Sequence, residues 1–313
     1  VLGIIDTEHY GYGELFNEIN RHTGGIGTSL ELYPDVTKVK EKEFKATFEI
    51  KGKALYGQIP FAIRMMKEIL TASKLDDEKR LKEILSMTKT RLQDRFLSAG
   101  HSAAALRAMS YKSPISKFKD TTNGIEYYQN IREMEEHFEE KKEEITNGLK
   151  ALSELLFRKG NMMISYTATR EGFAVLEEEI GSLKEVLYPE RMPQSRCILH
   201  CEKKNEGFKT SSKVQFAAKA GNFIDAGEEY NGALQILKVI MSYEYLWINI
   251  RVKGGAYGCM SNFNRIGEGY FVSYRDPNLG RTLEIYDGVP EYLENFTVSE
   301  RDMTKYIIGT ISN

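Results

Sequence analysis

The spacing of apolar residues switches between helical and strand periods along the chain, and each switch marks an element. Leu15, Phe16 and Ile19 share one side of a short helix, predicted over Tyr10 to His22 and stopped by Thr23-Gly24-Gly25. Ile26 to Tyr33 and Glu43 to Leu55 read as strands. The second carries a partial alternation of Phe44, Ala46, Phe48 and Ile50, and the two are expected to pair antiparallel. Pro60 opens a helix at its first turn, where its missing N–H costs nothing, and Ile63, Met66, Ile69 and Leu70 continue it. Asp76 to Met109 is a long helical region, bent near Gly100. Ile125 to Arg158 is a second, rich in glutamate and lysine. Met163, Ser165 and Thr167 alternate against Met162, Ile164 and Tyr166, which predicts a strand over Asn161 to Thr169. Gly172 to Leu187 returns to helix.

Tyr188 to Ser195 holds two prolines among polar residues and is the best linker in the chain. A domain boundary there gives units of 1–189 and 195–313. The second unit is expected to open with strands at Cys197 to Glu202 and Lys213 to Lys219. Leu234, Leu237, Met241, Tyr245 and Ile248 then give one buried face to a helix over Glu229 to Lys253. Arg251 and Lys253 lie in its last turn, where cations suit the negative end of the helix dipole. Gly254 and Gly255 end it, and Ala256 to Phe263 follows as a strand, turning at Gly267-Glu268-Gly269 into another. Arg251 thus leaves a helix end while Tyr257 opens the strand beside it, two long polar side chains aimed across one turn. Asp276-Pro277 is expected to cap a helix that Pro290 bends or splits, and Val298-Ser299-Glu300 starts the last helix. A faint repeat runs through the chain. Thr23 to Thr28 occupies the same kind of helix–turn–strand junction as Lys253 to Gly258, and Arg21 matches Arg251 in place.

Two runs, Tyr245-Leu-Trp-Ile-Asn-Ile-Arg-Val-Lys-Gly-Gly-Ala-Tyr-Gly-Cys259 and Ser273-Tyr-Arg-Asp-Pro-Asn278, resemble the insulinase (pitrilysin) family of zinc metallopeptidases, in its presequence-protease branch. The resemblance implies an α+β fold of two similar domains, each an antiparallel sheet with helices packed on one side. By it, 1–189 is the third family-type domain, lacking its first strand. Residues 195–313 are then the fourth, truncated at its C-terminus. It also implies that Arg251 and Tyr257 are the pair which binds the substrate backbone and stabilises the tetrahedral intermediate. Gly254, Gly255 and Asn262 become candidate substrate-binding residues, and Arg265 and Tyr274 possible pocket lining. The family's zinc motif is His-x-x-Glu-His on a helix with a further glutamate downstream. His9, His22, His101, His137 and His200 are scattered and none has those partners. The resemblance therefore assigns zinc to a missing N-terminal half of the same polypeptide, and peptides to this half as substrate.

The 313 residues are 41% hydrophobic and 28% charged, which describes two globular domains of ordinary size. A net charge of −2 gives no reason to expect nucleic acid or an anionic membrane as partner. Three cysteines, Cys197, Cys201 and Cys259, argue against a disulfide framework and for the cytoplasm or another reducing compartment. No apolar run is long enough to span a membrane. A start at Val1 and an end at Ile-Ser-Asn read as a piece of a longer chain, so the lack of a leader carries no information.

Each candidate has an ordinary structural reading beside the functional one. The run Glu133 to Glu144 fits a solvated helix face with charge pairs one turn apart better than an acidic docking surface. Cys197, His200 and Cys201 form a thiol–imidazole group without a second ligand pair at zinc-finger spacing, which favours structure over metal. Gly254, Gly255 and Gly258 follow a helix and match neither phosphate-loop pattern, and no G-x-S-x-G elbow exists. Singly, Arg251 would be a helix-end cation and Tyr257 a half-buried strand residue; the shared run makes them a functional pair. The rival to a peptidase half is a non-catalytic scaffold or partner-binding subunit of the same fold. An intact His-x-x-Glu-His upstream of Val1 decides for the enzyme.

Overall fold

A computed structural model of the chain describes residues 1–190 and 199–311. Its contacts divide into two compact units, each drawn from three stretches of chain. The first comprises Val1–Leu32, Ala46–Thr88 and Ile131–Cys197, and the second Tyr33–Lys45, Lys89–Asn130 and Ile198–Asn313. The linker residues Arg191 to Ser195 and Cys197 lie outside the described residues.

In the first unit, helix α1 (Tyr12–His22) lays Leu15 and Ile19 against Met65 and Ile69 of helix α2 (Ile59–Thr71). All four are buried, which supplies most of the reason these amphipathic segments fold. Strands β1 (Ile26–Pro34) and β2 (Phe44–Gly52) form a two-stranded sheet. The Lys53 N–H meets the Gly25 carbonyl at one end, and the Asp35 N–H meets the Glu43 carbonyl at the other, which fixes the expected antiparallel hairpin. Helix α3 (Glu78–Ser110) is one long run broken only at Ala99 (φ −132°, ψ 36°), one residue before the predicted bend. A Cβ on Gly100 would stand 2.5 Å from the Phe216 ring, so the bend falls where another part of the same unit packs close.

Helix α4 (Pro114–Asn123) has no counterpart among the elements expected from the sequence; Ser113 caps it, its hydroxyl accepting from the Ser116 N–H. The region from Ile125 divides at His137 into α5 (Ile125–Glu136) and α6 (Phe138–Leu156). Asn161 to Thr169 does not become a strand. A single helical turn ends at Asn161, the Tyr166 hydroxyl donates to the Thr169 carbonyl, and helix α7 (Arg170–Val186) begins. The alternation there has no partner strand to give it meaning. Ile59 and Ile63 of α2 pack against Leu183 of α7.

The second unit carries a three-stranded sheet in the order β3–β5–β4, with both pairings antiparallel. The strands are β3 (Ala218–Asn222), β4 (Gly258–Phe263) and β5 (Glu268–Tyr274). Leu199 to Glu202 is not a strand, and the strand expected over Lys213 to Lys219 forms mainly beyond it, with Gln215 making one bridge to Asp276. Helix α8 (Ala233–Tyr243) buries Val239, Ile240 and Met241. With Leu246, Ile250, Ala256, Cys259, Tyr286 and Val289, residues Ile240 and Met241 form the core of this unit. Helix α9 (Leu279–Asp287) and α10 (Val289–Glu294) are split as Pro290 requires, and α11 (Glu300–Ile311) closes the described chain. The fold is α+β, with small antiparallel sheets and packed helices.

Candidate functional site

The predicted single helix from Glu229 to Lys253 is two elements. α8 stops at Tyr243, Glu244 leaves helical geometry (φ −101°, ψ −82°), and Trp247–Val252 forms a π-helical turn. The wide turn is seen in the bond from the Lys253 N–H to the Ile248 carbonyl, 2.9 Å, which spans five residues. The Asn249 side chain donates to the Tyr245 carbonyl at 2.9 Å, occupying an acceptor beside the widened ladder. An extra residue in a turn rotates the chain downstream of it, so this insertion decides where Arg251 points.

Gly255 has φ +78°, and there the chain reverses so that the Ala256 N–H reaches the Ile250 carbonyl at 3.1 Å. A Cβ on Gly254 would meet that same carbonyl oxygen at 2.5 Å. Both glycines are thus required by geometry, one for its φ and one for space. Tyr257 stands just before β4 rather than inside it, and its N–H shares the Tyr274 and Arg275 carbonyls at 3.0 and 3.3 Å.

Across this turn the Arg251 guanidinium lies over two rings, 4.5 Å from the Trp247 centroid and 5.4 Å from that of Tyr257. Among the described residues it makes no ion pair. Tyr257 is 64% exposed, its ring set edge-on to Tyr274 with centroids 5.6 Å apart. Tyr274 is itself fixed, its hydroxyl donating to the Ser98 carbonyl at 3.1 Å and its ring packed on His101 and Phe216. Arg251, Val252, Gly255, Ala256, Tyr257 and Arg275 line one open cleft of about 440 Å³. The arrangement offers a cation and an exposed phenol, both donors, with carbon surface between them.

The other sequence candidates fall differently. Gly254 backs the cleft, its carbonyl accepting from the Asn278 side chain. Asn262 pairs with Tyr270 on β4, five residues beyond Tyr257, and does not line the cleft. Arg265 sits over Tyr230 at 5.9 Å in the β4–β5 turn. Asp276 is not an N-cap. It is fully buried, accepting from the Asn278 N–H at 2.8 Å and from the Thr282 hydroxyl at 2.6 Å, while Asn278 precedes α9. Cys259 is buried beneath Arg251 and Asp276, and desolvation pushes its thiol up to about 11 despite the nearby guanidinium. His200 and Cys201 are described but Cys197 is not, and burial raises the Cys201 thiol. Arg275 and Trp247 are cleft or near-cleft residues that sequence reasoning does not single out, although both stand inside the two runs that carry the family resemblance.

Residues 1–134 match the family model "Peptidase M-16C associated", and residues 205–313 match "PreP C-terminal domain". Both describe peptidase-associated α+β domains. The chain belongs to this peptidase family, in its presequence-protease type, and corresponds to a C-terminal part of such a protein. Protein HypA of Clostridium perfringens is 40% identical over 311 residues, covering 99% of this chain and 32% of that protein. Presequence protease 1 (chloroplastic/mitochondrial) of Arabidopsis thaliana is 28% identical over 98% of this chain and 28% of its own length. The mitochondrial presequence protease of Drosophila melanogaster is 26% identical over 94% of the chain and 28% of its own. The chain thus spans about a third of the length of these relatives. No helix among the described residues is long and apolar enough to cross a membrane.

Proposed function

We propose that this chain is the substrate-contacting C-terminal half of a zinc-dependent metalloendopeptidase that degrades unfolded peptides. The observation that carries the reading is the Arg251 guanidinium, without an ion-pair partner among the described residues, held over the Tyr257 ring at an open cleft. An arginine kept there for stability alone would be expected to meet a carboxylate or helix carbonyls. This one is held by aromatic faces, which fix its direction and leave its N–H donors for a ligand. β4 is an edge strand beginning one residue after Tyr257, so an extended peptide laid along it would bring a carbonyl toward both donors.

In this reading Arg251 and Tyr257 donate hydrogen bonds to the oxygen that gains charge when the scissile carbonyl becomes tetrahedral. A donor so placed strengthens as charge develops and lowers the barrier more than it tightens the ground state. Residues 1–189 and 195–313 are then the third and fourth domains of the longer protein. Among the described residues no three His, Cys, Asp or Glu side chains gather to hold a metal. The residues present do not fit zinc, and the proposal assigns its binding to the N-terminal half.

The test is kinetic, in the full-length protein. Tyr257→Phe removes one hydroxyl and keeps the ring against Tyr274; Arg251→Ala removes the forked donor. Each is expected to lower kcat/KM by about 10²-fold, mostly in kcat, with zinc content and circular dichroism unchanged. Full activity of Tyr257→Phe on several peptides would show that its hydroxyl has no catalytic role.

A further inference from the structure

The same cleft holds a second cation. Arg275 lines it, and like Arg251 makes no ion pair among the described residues. Asp276, next in the chain, does not neutralise it, since both of its oxygens are taken by the Asn278 N–H and the Thr282 hydroxyl. The Arg275 backbone has φ +49°, left-handed geometry that glycine adopts freely and a residue with a Cβ adopts at a cost. Bonds on both sides enforce it. The Arg275 carbonyl accepts from the Tyr257 N–H at 3.3 Å, while the N–H and carbonyl of Asp276 pair with Gln215 at 2.9 and 3.1 Å. A strained position occupied by an arginine, where glycine would be the relaxed choice, points to use of the side chain.

The direction of that side chain is also set. Its guanidinium lies 5.4 Å from the centroid of Tyr274, whose other neighbours are the Tyr257 ring, His101 and Phe216. Arg251 and Arg275 therefore flank a Tyr257–Tyr274 aromatic pair, one guanidinium against each ring. Two like charges at one cleft repel each other, and a bound carboxylate relieves that repulsion while accepting a forked pair of hydrogen bonds. A neutral peptide carbonyl needs only the first cation.

Resting on the peptidase reading, we propose that Arg275 is a specificity-determining residue that recognises a carboxylate on the bound peptide. Two sources share that chemistry, an Asp or Glu side chain near the cleaved bond and the peptide's own C-terminal carboxylate.

The test uses the full-length protein and two pairs of fluorescent peptides. One pair differs only as Glu against Gln along the sequence, the other only as free acid against C-terminal amide. Affinity is read by fluorescence anisotropy before turnover, and cleavage is followed separately. The protein should bind the acid of one pair about three- to ten-fold more tightly, the range of an exposed to half-exposed arginine–carboxylate pair, and the responding pair names the source. Arg275→Gly suits the left-handed backbone, so it removes the side chain without strain. It should abolish the preference and leave affinity for the neutral peptides unchanged, while Arg275→Lys should restore part of it. No preference in the wild-type protein, a preference that survives Arg275→Gly, or an equal loss on acid and neutral peptides would overturn the proposal. A carboxylate preference without hydrolysis upholds Arg275 and sinks the peptidase reading; hydrolysis without the preference does the reverse. Failure to bind any of the peptides overturns both.

Discussion

At Cys259 burial and charge act in opposite directions, and burial prevails: the thiol is pushed up to about 11 although Arg251 lies close enough to favour the thiolate. The folded state therefore keeps the neutral thiol where an unfolded chain, with its ordinary value near 9, already ionises. The linkage has one sign. This residue contributes no loss of stability below about pH 9, and a loss that grows between about 9 and 11 and then levels off. Alkylation of Cys259 in the native protein should accordingly be slow at pH 8 and appear in full only on unfolding. Rapid native-state labelling there would mean that the Arg251 turn opens. The roles of single residues are legible in the sequence only in part. Arg251 and Tyr257 stand out because they flank a glycine turn inside a long shared run. Arg275 does not, because a left-handed φ on a non-glycine residue leaves no mark in the sequence. Asp276 before Pro277 looks like an N-cap; its burial against Thr282 depends on packing from α9, which only the fold supplies.

Local hydrophobic spacing locates most elements, because α1, α2, α7 and the first hairpin are settled by near-sequence pattern. Asn161 to Thr169 has the alternation of a strand without being one, because alternation signals β structure only where a partner exists; Met163 there is 78% exposed. The π-helical turn at Trp247–Val252 is hidden for another reason. Apolar spacings of three and four tolerate one extra residue, so Leu234 to Ile248 reads as unbroken helix. The two glycine junctions show the same device twice, with the second glycine left-handed at Gly25 (φ +111°) as at Gly255 (φ +78°). They differ in the preceding arginine: Arg21 pairs with Glu18 at 2.6 Å, whereas Arg251 has no carboxylate partner among the described residues. Gly254→Ala tests the element, since the added methyl would meet the Ile250 carbonyl at 2.5 Å and displace the turn that carries Arg251. We expect a loss of about 1–3 kcal/mol in stability, read by chemical denaturation, and a larger loss in kcat/KM than in substrate affinity. An unchanged midpoint and unchanged rate would show the turn to be slack.

Across the whole molecule, the function assigned here needs a part of the protein outside this chain, which spans about a third of its relatives. Produced alone, the 313-residue chain is expected to bind no stoichiometric zinc and to cleave no peptide. One tightly held zinc per chain by metal analysis would remove the basis for placing the metal elsewhere. The central claim is that Arg251 and Tyr257 act together on one peptide carbonyl, and a double-mutant cycle in the full-length protein measures it most directly. Arg251→Ala, Tyr257→Phe and the double variant are compared by kcat/KM on one peptide. If both donors serve the same oxygen, the double variant should lose clearly less than the product of the two single losses, by a coupling of about 0.5–3 kcal/mol. Strictly multiplicative losses, or single variants with full activity, would contradict it.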